Sequence, residues 1–217
     1  MDETCIYLDA PSNYTIEVKG AKRVKANTTG SERTRLSALF TASAKPEKLP
    51  VMILVPRKEQ LKDFIPPENT VIVYKTGATF NEETIIEHKN RILTSYMLTN
   101  NISDVTLLLD SAKCHQTRKV QDEYNGANIN LMFIPPRMTN LVQPADVSWF
   151  ASIKNEYHKK WNEWFLHTDK TFTRFGNMKS PGYATCIQWI SKIWEDFDLQ
   201  LIQNSFHHCG ILSQTTQ

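Results

Sequence analysis

Leu107-Leu-Leu-Asp110-Ser-Ala-Lys-Cys-His115 is the stretch on which the reading of this chain turns. Val105 to Leu109 is an apolar run, which predicts a strand, and the change to Asp, Ser and Lys predicts that the strand stops and a short loop opens. Asp110 then stands at a strand's carboxyl end, where open α/β sheets place ligands. A second acid follows 36 residues later in Leu141-Val-Gln-Pro-Ala-Asp146-Val-Ser-Trp-Phe150, in the first turn of a helix behind Pro144. Asp2, at the head of the chain, is a third. Each has an ordinary structural reading: Asp110 as a turn or N-cap acid for the next helix, Asp146 as a helix-start acid favoured by the dipole. The other reading is that carboxylates from separated elements converge on hard divalent cations. Mg²⁺ takes oxygen ligands, and two ions about 4 Å apart can clamp the attacking and leaving oxygens of a phosphodiester. On that reading the expected chemistry is phosphoryl transfer on nucleic acid.

Working outward, Asp2 to Leu8 reads as a strand. Thr34 to Ala44 and Pro50 to Val55 read as antiparallel neighbours joined by the turn Lys45-Pro-Glu-Lys48. Val71 to Tyr74 is a short β-branched run. Thr79 with Glu82 predicts a capping box opening a helix whose Ile85, Ile86, Ile92, Leu93, Tyr96 and Met97 form one stripe. Asp104 to Leu109 has little polar alternation, which predicts a central strand buried on both faces. Gln116 to Tyr124 is helical, and Ile129 to Ile134 is a strand stopped by Pro135-Pro136. Strands followed by alternating helix and strand predict an α/β fold with a mixed sheet.

Val147 to Phe165 is a long helix with Phe150, Ile153, Tyr157, Trp161 and Trp164 at helical spacing. A second helix from about Thr185 carries Ile187, Ile190, Trp194 and Phe197. Between them Thr168 to Gly182, rich in Thr, Gly, Lys and Arg, reads as a loop facing a partner. Ser213 to Gln217 reads as a frayed tail. The aromatic stripe of the long helix reads as core, with Lys154, His158, Lys159 and Lys160 as a solvated edge. His207-His208-Cys209 offers soft ligands without a second pair at zinc spacing.

Composition narrows the function less than the acids do. The chain has 217 residues, 41% of them hydrophobic, and a net charge of +2, so any nucleic-acid role rests on local clusters. Residues 16 to 35 supply one: Lys19, Lys22, Arg23, Lys25, Arg33 and Arg35 against Glu17 and Glu32 give net +4. Such a run is either a solvated face or a sequence-independent phosphate contact. His115 is read in the same two ways, as structural or as a phosphate contact. The four cysteines form no C-x-x-C pair and read as reduced thiols, and neither a membrane span nor a secretory signal is expected. The expected setting is intracellular.

Taken together, several segments resemble the DDE-type transposase domain of the pogo/Tigger group, which includes centromere-protein-B-like and jerky-like relatives. They are Met1-Asp-Glu-Thr4, Lys19-Gly-Ala-Lys-Arg23, Thr29-Gly-Ser-Glu-Arg-Thr-Arg35, Lys48-Leu-Pro50, Leu107-Leu-Leu-Asp-Ser111 with His115, Ile134-Pro-Pro136, and Gln143-Pro-Ala-Asp146 leading to Lys154. The resemblance implies an α/β, ribonuclease H-like mixed sheet flanked by helices, with a catalytic domain over 1–165 and a C-terminal loop and helical extension over 166–217. It implies Asp2, Asp110 and Asp146 as catalytic metal ligands for two Mg²⁺ or Mn²⁺ ions. It also implies DNA contacts from the basic cluster and His115, a nuclear setting, a possible homo-oligomer, and no small-molecule cofactor. Three features depart from the family pattern. The chain begins one residue ahead of Asp2, so the leading half of the family's first strand is missing. The helix-turn-helix region that precedes the domain is absent, and Ala78 follows Gly77 where a large aromatic is common. Two functions stay open, a metal-dependent endonuclease or transposase and a domesticated, non-catalytic nucleic-acid-binding or interaction module.

Overall fold

A computed structural model describes residues 1–10, 19, 29–31 and 33–212. The strands β1 (Asp2–Tyr7), β2 (Arg35–Phe40), β3 (Val51–Val55) and β4 (Thr70–Tyr74) form one sheet in that order. β1 with β2 and β2 with β3 are antiparallel, while β3 with β4 is parallel. β5 (Val105–Leu109) and β6 (Ile129–Phe133) pair in parallel as a second, two-stranded sheet. The Met1 amine donates to the Leu108 carbonyl at 2.8 Å, so β5 borders the start of β1 on the side away from β2.

The turn between β2 and β3 forms where its proline and charges predict it, closed by the Ser43 amide on the Glu47 carbonyl at 2.9 Å. β3 is buried on both faces, all five residues being 0% exposed, and β2 is buried likewise beyond Arg35. Val51, Ile53 and Val55 enter one apolar cluster, and Met52 and Leu54 the other. That explains why its sequence, Val-Met-Ile-Leu-Val, shows no polar alternation, each such side chain contributing about 1.5–3 kcal/mol on full burial. β5, expected to be of this kind, is not. Leu107 and Leu109 are buried, but Thr106 is exposed, because one side of β5 looks into a cavity that Met97, Leu108 and Trp149 also line.

Helices cover the two faces. On one side lie α1 (Glu82–His88), a π-helical turn (Lys89–Leu93), α2 (Thr94–Thr99) and α3 (Arg118–Asn125), packed with β5 and β6. The capping box of α1 is set by Asn81 with Thr84, not by Thr79 with Glu82: the Asn81 side chain accepts the Thr84 amide, and the Thr84 hydroxyl accepts the Asn81 amide. On the other side are α4 (Thr139–Val142), a second π-helical turn (Ala145–Trp149), α5 (Phe150–His167), α6 (Gly182–Asp196) and α7 (Leu199–His208). Here Phe40 meets Trp194 edge-on at 5.0 Å. The Trp194 indole N–H donates to the Leu49 carbonyl at 2.8 Å, which seats α6 on the sheet. α7 has no counterpart in the sequence reading. Asp198 caps it, and Ile202 and Phe206 enter the same core as β2, α5 and α6. The 168–182 segment carries a short antiparallel bridge, Phe172 to Met178, with Phe172 and Phe175 exposed. No described helix is long and apolar enough to cross a membrane.

Candidate metal centre

Period-two alternation along β1 decides which face each acid serves. Asp2, Thr4 and Ile6 point to the side of α5, while Met1 points to the side of β5 and α3. Asp2 is 7% exposed, and its Oδ1 accepts the Glu3 amide at 2.8 Å. Asp146 comes toward Asp2 from the π-helical turn ahead of α5, near enough for each carboxyl to act on the other's charge. Asp146 lies in the first turn of that element behind Pro144, so the helix-start reading holds beside its approach to Asp2. Asp110 leaves the end of β5 with its Oδ1 accepting the Ala112 amide at 3.1 Å. The N-cap of α3 is Thr117, so Asp110 does not cap that helix, but its bond from the Ala112 amide is the contact expected of a turn acid.

Glu3 and His115 complete the arrangement. His115 is 1% exposed, with Nδ1 2.6 Å from Asp110 Oδ1 and Nε2 2.9 Å from Glu3 Oε1. The ligand-type atoms of Glu3, Asp110 and His115 all lie within 4.8 Å of one another. Asp2 and Asp146 stand outside that group of three. The expectation that only one of Asp2 and Glu3 approaches Asp110 therefore resolves in an unforeseen way. Glu3 reaches Asp110 through His115 on one face of β1, while Asp2 meets Asp146 on the other. His115, for which a phosphate contact is the alternative expectation, is buried with both nitrogens engaged, so it serves as a tie between two acids.

Electrostatics follow from this layout. Burial, then Asp146, then Glu3 push Asp2 up from 3.8 to about 8. Burial and then Asp110 raise Asp146. Asp110 is held below the usual carboxylate range chiefly by its hydrogen bond to His115. For His115, burial acts downward, but hydrogen bonds to Asp110, Cys114 and Glu3 outweigh it and push the imidazole up to about 12. Asp2 and Asp146 are thus two neighbouring carboxyl groups in a partly dry site, both shifted toward their protonated forms. Oxygen donors alone, from three elements, fit Mg²⁺ or Mn²⁺ and do not suit a soft metal.

Since the folded pKa of Asp2 is raised, its contribution is fullest below its unfolded value near 4 and is lost as pH rises through about 8. In EDTA at pH 8, Asp2→Asn is accordingly expected to raise the melting midpoint by about 2–4 °C, the response of a chain this size to about 1 kcal/mol. It should also remove the stabilisation by Mn²⁺. Thermal melts across pH 5 to 8.5, with and without the ion, check both, and a lowered EDTA midpoint would mean that Asp2 is not strained.

Of the basic residues, Lys19 and Arg33 are exposed and Arg35 is half-buried. Lys22, Arg23 and Lys25 lie outside the described residues. His207 is part-buried at the end of α7, its Nδ1 without a partner among the described residues. Nothing described brings a second pair of soft ligands to it.

Residues 24–206 match the family model described as DDE superfamily endonuclease. A mouse protein named pogo transposable element with KRAB domain is 24% identical over 98% of this chain and 35% of its own length. Among solved structures, the Mos1 transposase paired-end complex with left transposon end aligns at TM-score 0.62 and 13% identity, over 95% of this chain and 50% of that one. The Mos1 mariner paired end complex with Mn aligns at 0.61 and 14%, with the same coverage. The chain thus spans about a third of the length of the curated relative and half of the solved chains. The fold shared with Mos1 is ribonuclease H-like, and in this chain Asp2 lies on β1, Asp110 just past β5 and Asp146 in the π-helical turn ahead of α5. With its family model matching most of its length, the chain belongs to the DDE superfamily endonucleases, with relatives among the pogo transposable elements.

Proposed function

We propose that Asp2, Asp110 and Asp146 form the centre of a divalent-metal-dependent activity that cleaves or transfers phosphodiester strands of DNA. The observation that supports this most is that Asp146, 144 residues from Asp2 and 36 from Asp110 in sequence, stands near enough to each for their charges to act on one another at one end of the sheet. Bound there, Mg²⁺ or Mn²⁺ would activate a water or a 3′-hydroxyl and stabilise the leaving oxygen. The protein's part is to supply charge and position. Asp110 is kept ionised and aimed by the protonated His115, itself held by Glu3. Asp2 and Asp146, both shifted toward their protonated forms, give up protons when a cation binds, so metal affinity should rise with pH toward 8. The division into 1–165 and 166–217, the nuclear setting and a homo-oligomer remain part of the proposal. Titration with Mn²⁺ followed by a plasmid nicking assay tests it, and an intact fold with neither metal response nor nicking would sink it.

A second reading is a non-catalytic DNA-binding module, and the observation favouring it is that His115 already occupies an Asp110 oxygen at 2.6 Å. It would bind DNA without metal response. On either reading the basic cluster should give weak, sequence-independent and salt-sensitive binding. Replacing Lys22, Arg23 and Lys25 together by Ala is expected to flatten the dependence of log K on log salt by about 2–3 units, at roughly 0.9 for each phosphate no longer neutralised. An unchanged slope would return the cluster to a solvated face.

A further inference from the structure

β4 closes the four-stranded sheet and pairs on one side only, with β3. Two bonds at its ends tell its inner groups from its outer ones: the Val51 amide reaches the Asn69 carbonyl at 2.9 Å, and the Lys75 amide reaches the Val55 carbonyl at 3.2 Å. Asn69, Val71, Val73 and Lys75 therefore face β3, and by alternation Thr70, Ile72 and Tyr74 turn their peptide groups outward. The outward Thr70 amide is spent on the Pro67 carbonyl at 3.0 Å. Among the described residues the Ile72 and Tyr74 amides meet no acceptor, and the edge has one further contact, Arg91 Nη1 on the Ile72 carbonyl at 3.4 Å. The side chains suit this edge. Thr-Val-Ile-Val-Tyr carries neither charge nor proline, the residues that usually blunt an exposed strand. Ile72 and Tyr74 reach one apolar cluster and Val71 and Val73 the other, yet all four stay half-buried where β3 is covered throughout. Ile65, 89% exposed, stands just ahead of the strand.

We propose that the outer edge of β4 is a self-pairing surface, which takes β4 of a second copy of this chain in antiparallel register centred on Ile72. A two-fold axis at that point sets Ile72 against its own copy, Val71 against the partner's Val73 and Thr70 against the partner's Tyr74. Every cross-strand pair is then β-branched or aromatic. The two Ile72 residues exchange both backbone hydrogen bonds, and each Tyr74 amide reaches the partner's Thr70 carbonyl. The Thr70 amide, already on Pro67, is the donor that the pairing does not need. Arg91 takes one of the two lone pairs of the Ile72 carbonyl, so the other accepts the partner's amide. A strand without charge does not suit phosphates, and an unrelated peptide would have no reason to match the symmetry of this run about Ile72.

Joined in this way, two four-stranded sheets become one of eight strands, within the usual limit of about ten. β2 and β3 lie between β4 and β1, so at about 4.8 Å per strand Asp2 stays about 14 Å from the joint, and the acids of both copies lie away from it. The pairing gives a surface to the homo-oligomer of the function proposed above, while the surface itself rests on no metal chemistry.

The test is sedimentation equilibrium of the full chain in EDTA without DNA, together with hydrogen exchange. A dimer dissociating in the micromolar range is expected, as suits a small specific interface, with exchange at the Ile72 amide slowing as concentration rises. Ile72→Lys, whose stem can cover the half-buried position while two like charges meet at the axis, should raise the dissociation constant on the order of 100-fold. On oxidation Ile72→Cys should form a disulfide between copies, because a hydrogen-bonded pair sets the two Cα atoms about 5.5 Å apart. Val73→Cys should not, since its two copies stand about 8 Å apart. These two variants keep the pairing testable even where Ile72→Lys fails to fold. A monomer at every concentration, a dimer indifferent to Ile72→Lys, or equal cross-linking of both cysteine variants would overturn the proposal. So would a Thr-Val-Ile-Val-Tyr peptide that protects the Ile72 amide of a chain that stays monomeric. Because neither metal nor DNA is present, none of these results bears on the function proposed for Asp2, Asp110 and Asp146, which Mn²⁺ titration decides separately.

Discussion

Asp110→Asn is expected to lower Mn²⁺-dependent nicking on the order of 1,000-fold, the equivalent of several kcal/mol of charge stabilisation at about 1.4 kcal/mol per tenfold. The substitution keeps the shape of the side chain and its bond from the Ala112 amide, so the strand end should persist. What it removes is the ionised partner that the structure holds ready beside His115. Nicking should fall without a matching rise in the DNA concentration needed for half-saturation, since the acid opposes DNA phosphates instead of binding them. Near-wild-type nicking by the folded variant would place the activity elsewhere.

His115→Ala is expected to be the most destabilising single change at the site, by about 3–5 kcal/mol, the usual consequence of removing one partner from a buried charged pair. It cuts both bonds of the imidazole and leaves the Asp110 and Glu3 carboxylates facing one another across an emptied space. The sign of the pH dependence is fixed by the raised pKa. The contribution is full below the unfolded value of 6.5 and is lost progressively as pH rises toward about 12. The gap between wild type and variant in urea unfolding should therefore narrow from pH 6 to pH 9. A gap that widened would mean that the ring is neutral in the folded protein. His115→Gln, which can bond one acid without carrying charge, should recover only part of the loss.

Most of the architecture was legible because its signals are local. The apolar run Val105 to Leu109, the turn at Lys45 to Lys48, the paired prolines after β6 and the aromatic spacing of α5 each mark an element through short-range chemistry. Three acids could be singled out in the same way, by the junctions on which they sit. α7 is a signal the sequence reading passed over: Leu199, Leu201, Ile202 and Phe206 are helically spaced behind Asp198, an N-cap residue type.

What the sequence by itself determined, then, is the order of elements up to α6, the mixed sheet and the junctions on which the candidate acids sit, since strand ends and helix starts are written in neighbouring residues. Tertiary structure alone decided how those acids behave. Only folding brings Glu3 to His115 across 112 positions, and only burial beside Asp146 turns Asp2 from an ordinary carboxylate into one that keeps its proton near neutrality. Hydrogen-bond partners and desolvation are properties of position in space, and no reading of neighbours along the chain supplies them.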